Sequence, residues 1–144
     1  MRRTGREIAL KILFQNEFSS PLHPRDWAQT IADEEFAPIH KIHNDSFRFA
    51  EQIVTGVRAH KTEIDQLIQR FAKHWKIDRM STIDRNILRI GVYEMMYSAN
   101  PTPVTVAINE ALEISKIYGT QDSPSFINGI LDQVQKETAV AALS

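Results

Sequence analysis

Apolar residues recur three and four positions apart through most of this chain, and no segment of useful length alternates with period two. That spacing puts side chains on one stripe of a helix, and a stripe has to be covered by another element. The chain therefore reads as all-α, helix packed on helix. About seven helices are predicted. The first covers residues 4–18 with Ile8, Ala9, Ile12, Leu13 and Phe14 as its apolar face, and Pro21 and Pro24 end it. A short second helix over 24–34 carries Trp27, Ala28 and Ile31 on one side, and residues 38–43 read as loop.

Asn44 or Asp45 is placed to cap a third helix, in which Phe47, Ala50, Ile53, Val54 and Val57 repeat. The repeat continues through Ile64, Leu67, Ile68 and Phe71, and Thr62 with Asp65 resembles a capping box, so a break near His60 is predicted. Ser81 can cap a fifth helix presenting Ile83, Ile87, Leu88, Gly91 and Met95, which the run Asn100-Pro101-Thr102-Pro103 stops. A sixth carries Val104, Ala107, Ile108, Ala111, Leu112 and Ser115, with Gly119 expected as a left-handed C-cap. Ser123 as N-cap and Pro124 at the first position open a seventh, with Phe126, Ile127, Ile130, Leu131 and Val134 inward.

What such a bundle does is constrained first by what is missing. The 144 residues contain no cysteine, which excludes disulfides, thiolate metal sites and cysteine nucleophiles. The signatures of a P-loop, a dinucleotide fold, a nucleophile elbow and an HExxH zinc site are also absent. No enzyme activity, cofactor or metal is expected. His40 and His43 read as solvated loop residues rather than ligands, and Asp33, Glu34 and Glu35 as a solvated run. No apolar run reaches membrane-spanning length and no signal-peptide core is present, which points to the cytoplasm.

The N-terminal stretch MRRTGREIALKILFQNEF concentrates positive charge. Arg2, Arg3 and Arg6 cluster at the positive end of the helix dipole, with Lys11 further along. Two readings stand: an anion such as nucleic-acid phosphate compensates them, or they are charges on a solvated end. The net charge of −1 and a pI near 6.5 limit any nucleic-acid site to a small patch completed by a partner. Arg85, Arg89, Tyr93 and Glu94 mark the polar or half-polar side of the fifth helix, as a partner surface or an ordinary exposed face. Asn109-Glu110 and Asn128-Gly129 interrupt apolar patterns, and both read as fixing close contact between the last helices. Phe18 and Trp27 belong either to the core or to a homodimer face.

Four segments carry a resemblance. They are Arg2-Arg3-x-x-Arg6-Glu7-x-Ala9-Leu10, Ile87-Leu88-Arg89-Ile90-Gly91-Val92-Tyr93-Glu94, Val106-Ala107-Ile108-Asn109-Glu110-Ala111-Leu112-Glu113-Ile114-Ser115-Lys116, and Asp122-Ser123-x-x-Phe126-Ile127-Asn128-Gly129-Ile130-Leu131-Asp132. In this order and spacing the chain resembles the NusB family of bacterial transcription antitermination factors along essentially its whole length. The resemblance implies two small packed helical bundles, about 1–60 and 61–144, and no catalysis. It implies binding of boxA RNA in nascent ribosomal RNA transcripts together with NusE, a small-subunit ribosomal protein, within an RNA polymerase antitermination complex. Carried over by position, Arg2, Arg3, Arg6 and Lys11 would contact RNA, with Asp122, Ser123 and Phe126 beside them. Arg85, Arg89, Tyr93 and Glu94 would face NusE. Phe14 or Phe126 can serve as a base-stacking platform, although Phe126 also fits the apolar pattern of the core. The chain departs from the family in its short basic arm and in Gly5, where a helix former is expected; both imply fewer phosphate contacts. A NusB-like fold also recruits RNA for some ribosomal RNA cytosine methyltransferases, a reading that here needs a separate enzyme.

Overall fold

The computed structural model describes residues 2–21, Trp27 and residues 44–143. Among them are six α-helices and no strand: α1 (Arg2–Asn16), α2 (Asn44–Ala59), α3 (Lys61–Phe71), α4 (Thr82–Val92), α5 (Val104–Tyr118) and α6 (Ser123–Leu143). The helix expected over 24–34 lies outside the described residues except for Trp27, which is buried; His40 and His43 also lie outside them. No helix among the described residues is long and apolar enough to cross a membrane.

The molecule is built around α4. It packs against α1, α2, α3, α5 and α6, and its residues from Asn86 to Val92 are all buried. A helix enclosed in this way is apolar all round except where a polar side chain finds an internal partner. Asn86 and Arg89 are those exceptions. Arg89 donates to both carboxylate oxygens of Asp65 on α3, at 2.8 and 3.1 Å, and to the Asn86 side-chain oxygen at 3.1 Å. The Asn86 amide donates to the Thr82 carbonyl at 2.8 Å and to Glu17. Around these polar groups Ile8, Leu10, Ile12, Ile53, Ile64, Ile68, Ile87, Leu88, Ile127 and Leu131 form one continuous apolar cluster. Each fully buried side chain of this size stabilises the fold by about 1.5–3 kcal/mol.

Several local expectations need correcting. The new helix after His60 starts at Lys61 with His60 itself at the N-cap, so Thr62 is an exposed interior residue and not a cap. Ser81 does cap α4, accepting the Asp84 N–H at 3.0 Å. Past Val92 the helix widens into a π segment, Tyr93–Tyr97, closed by the Ser98 N–H on the Tyr93 carbonyl at 3.0 Å. Gly119 is not left-handed: its φ of −92° and ψ of −166° are extended. Its role is spatial, since a Cβ there would stand 2.5 Å from Ser123 Oγ and 2.8 Å from the Ser115 carbonyl.

Asn109, Asn128 and Gly129 face solvent and fix no helix contact; nothing lies within 4 Å of a Cβ added at Gly129. Gly129→Ala is therefore expected to stabilise the protein by about 0.5–1 kcal/mol, because alanine suits a helix interior and restricts the unfolded chain. Urea denaturation checks this, and a lowered midpoint would refute it. Gly5 is the opposite case. An added Cβ would meet Phe49 Cδ2 at 2.8 Å and the Ser46 carbonyl at 3.0 Å, so the glycine lets α1 lie closely against α2.

Candidate nucleic-acid interface

The basic N-terminus divides into an exposed part and a buried part. Arg2 and Arg3 are exposed on the first turn of α1. The Arg2 guanidinium lies over the Phe49 ring, 4.1 Å from its centroid. Arg3 donates to both oxygens of Glu110 on α5, at 2.8 and 3.2 Å. That hydrogen bond, more than the neighbouring charges, holds the Glu110 carboxyl below the usual carboxylate range against the upward push of partial burial. A phosphate approaching Arg3 thus competes with an existing partner, in a half-solvated pair of the kind that contributes little net stability.

Arg6 and Lys11 are placed differently from the expectation. Arg6 is 3% exposed and forms a two-pronged pair with buried Glu94, Nε–Oε2 at 2.8 Å and Nη2–Oε1 at 2.7 Å. The sequence marked Arg6 as a surface cation, but its helix face turns toward α4 and a carboxylate is waiting there. Lys11 is 2% exposed and lies near Glu7, whose carboxyl is raised by burial and pulled partly back by Arg3, by Lys11 and by a hydrogen bond with Tyr118. Neither side chain is presented at the surface.

The expected partner-facing set on the fifth helix is also internal. Arg89 and Glu94 are buried in the pairs described, and Glu94 Oε1 accepts the Thr102 hydroxyl at 2.9 Å. Tyr93 is buried because its ring lies on the backbone at Gly56, where a Cβ would come within 1.9 Å of Cε1. Arg85 is half-buried: Nε donates to Glu17 at 2.8 Å and Nη1 to the Met80 carbonyl at 3.0 Å. Burial raises the Glu17 carboxyl, but the hydrogen bonds from Arg85 and Asn86 outweigh it and the net displacement is downward. Helix periodicity pointed these residues to a polar side; the enclosure of α4 turns that side inward. Trp27 joins the core, while Phe18 is exposed with its ring centroid 5.0 Å from that of Phe14.

Asp122, Ser123 and Phe126 sit at the start of α6, and they do not adjoin Arg2 and Arg3. The ion pairs show why. Arg6 of α1 meets Glu94 past the C-terminal end of α4, and Glu17 beyond α1 meets Arg85 near its start. The two helices are antiparallel, and the α6 start lies with Met80 and Ser81, on the side of Arg85 and its partner Glu17, while Tyr118, four residues before Asp122, reaches back to hydrogen-bond Glu7 of α1. Fifteen residues of α1 span about 22 Å at the helical rise of 1.5 Å per residue. Asp122 is exposed; Ser123 is buried and its hydroxyl accepts the Thr120 N–H at 2.9 Å. Phe126 is half-buried and lines a pocket of about 330 Å³ with Trp75, Arg79, Ser81 and Asp84.

Trp75 went unrecognised in the sequence, although a signal was there. Its indole is 58% exposed, and it stands within Lys73-His74-Trp75-Lys76, with Arg79 following, all exposed. An aromatic interleaved with cations just past a helix end suits base stacking and backbone contact. Among the described residues no group of histidine and carboxylate side chains is placed to hold a metal ion.

Fold and surface together define an all-helical domain with a guanidinium pair at one end of a helical layer and, toward the other, an aromatic pocket in which Trp75 and Phe126 stand with Arg79, Asp84 and Asp122. The NusB family model matches residues 3–136, and the chain belongs to the NusB family. The transcription antitermination protein NusB of Bdellovibrio bacteriovorus is 48% identical over 94% of this chain and 95% of its own length. The structure of T. maritima NusB superposes with a TM-score of 0.78 at 33% identity, covering 95% of this chain and 92% of that one. A structure of antitermination factors NusB and NusE in complex with double-stranded RNA shares the fold, with a TM-score of 0.76 at 23% identity over 94% of this chain and 96% of that one.

Proposed function

We propose that this protein is a transcription antitermination factor that acts in the cytoplasm, without catalysis of its own. It binds boxA RNA of nascent ribosomal RNA transcripts together with NusE and so joins an RNA polymerase antitermination complex. The observation that carries the RNA-binding reading is the pairing of exposed Arg2 and Arg3 with the Trp75–Phe126 pocket at the other end of α1. Guanidinium groups at one end hold phosphate and the aromatic pair at the other takes an unstacked base, which is how single-stranded RNA is bound. Near-neutral net charge makes the charge contribution small. A second protein therefore supplies affinity, a role supported by the related complex, which holds NusB and NusE together with double-stranded RNA. The same reading keeps two helical subdomains, about 1–60 and 61–144, with α4 of the second lying against α1 of the first.

Fluorescence anisotropy with boxA RNA and a scrambled RNA, with and without NusE, tests the proposal. Preference for boxA, strengthened by NusE, is expected. Arg2→Ala with Arg3→Ala is expected to weaken binding and to reduce the slope of log affinity against log salt by about 1.4, roughly 0.7 per lost contact on a single strand. Equal binding of the scrambled RNA by the protein and by the pair would sink the reading. An unchanged salt slope would remove the arginines from the site.

A further inference from the structure

Arg2 borders a second surface. A groove of about 700 Å³ runs between α2 and the turn after the π segment, with Arg2, Arg48, Phe49, Gln52 and Asn100 among the residues that line it. The guanidinium of Arg2 lies over Phe49, 4.1 Å from the ring centroid, and adds to the aromatic surface. Gly5 makes this arrangement available by letting α1 approach Phe49. Arg48 pairs with Asp45 at 3.6 Å, but the two side chains are 78% and 67% exposed, so the pair holds Arg48 only weakly. Gln52 and Asn100 are exposed amides, each able to donate and to accept. Glu51 also lines the groove, so with Asp45 on Arg48 two carboxylates accompany the two guanidinium groups.

Flat aromatic and guanidinium surfaces, side-chain amides and a cationic rim are what unstacked nucleotides need for stacking, base-edge reading and phosphate contact. Arg2 belongs to both surfaces, so the groove continues the strip along α1. We propose that the groove takes a second run of single-stranded RNA, adjoining the boxA element on one side only. Its bases stack on the Arg2–Phe49 surface and meet the amides of Gln52 and Asn100, and its phosphate meets Arg48. The inference rests on the RNA-binding reading above and lengthens its footprint.

The test compares anisotropy of boxA RNA with the same RNA carrying a short oligoadenosine extension at the 5′ or the 3′ end. One extension is expected to tighten binding roughly tenfold, within the range for stacked bases, and the other to leave it unchanged. Arg48→Ala and Gln52→Ala, both at exposed positions, are each expected to reduce that gain while leaving the affinity for unextended boxA RNA as it was. Equal gains from both ends would mark plain charge attraction and overturn the groove. A gain that survives both substitutions would overturn it too. Weaker NusE binding by Arg48→Ala, with the RNA gain intact, would assign the groove to the protein partner instead. Failure to bind unextended boxA RNA would remove the parent reading itself.

Discussion

Replacing Glu94 or Arg6 with alanine is expected to destabilise the protein by about 3–5 kcal/mol, the range for leaving one member of a buried ion pair without its partner. The geometry puts this pair at the severe end of surface-to-core cases. Both side chains are 3% exposed or less, both guanidinium–carboxylate contacts are 2.8 Å or shorter, and Glu94 also accepts the Thr102 hydroxyl. Such a loss is a large share of the roughly 5–15 kcal/mol that stabilises an ordinary domain, and corresponds to a drop in Tm of about 10–20 °C at this chain length. Charge deletion on both sides behaves differently. Arg6→Met combined with Glu94→Leu leaves no buried charge and is expected to recover most of the loss, since apolar replacement of a buried pair is often neutral. Thermal unfolding of the two single variants and the double variant checks this. A loss below about 1 kcal/mol in Arg6→Ala would show that the pair is solvated in solution. The same variants separate fold from function, because Arg6→Met with Glu94→Leu should keep the salt slope of RNA binding that Arg2→Ala with Arg3→Ala lowers.

Trp75→Ala is expected to weaken boxA binding by about 1–3 kcal/mol, the contribution of one base stacked on an aromatic side chain, or roughly 5- to 150-fold in Kd. The indole is more than half exposed, so its removal leaves the core intact and stability unchanged. Phe126 is the companion case, but it also packs against the core. Phe126→Leu keeps the apolar volume while removing the ring, and it is expected to reduce affinity with only a small change in Tm. Because stacking is uncharged, neither substitution should alter the salt slope. Full affinity in Trp75→Ala and Phe126→Leu together would place RNA elsewhere on the surface.

The helices were legible because each depends on spacing within a few residues: Ile64, Leu67, Ile68 and Phe71 mark α3, and Ser81 marks the start of α4. The site was legible only in part, because its geometry depends on residues far apart in the chain. Arg2 and Arg6 are one helical turn apart and both lie near the Phe49 ring, so the clustering was readable. That Arg6 is internal follows from Glu94, 88 residues away, and no local pattern reports it. Arg89 is likewise claimed by Asp65 on another helix. Asp122 and Phe126 were matched as neighbours of the basic helix face; they line a pocket with Met80 and Ser81, and the link back to α1 runs through Tyr118 and Glu7, which no local pattern reports. Trp75 carries no periodic signal, because it stands outside any helical apolar repeat, among exposed cations just past a helix end.

The enclosure of α4 has a mechanical consequence. Every described helix packs on it, and ion pairs tie α1 and the turn after it to the two ends of this segment, Arg6 with Glu94 and Glu17 with Arg85. Neither end of α1 can shift without breaking one of them. The interval between the guanidinium pair and the aromatic pocket is therefore a fixed gauge. An RNA held at both, as proposed above, would have to present its phosphate and its base at that interval, which would make spacing a requirement alongside sequence, much as a caliper accepts only one width.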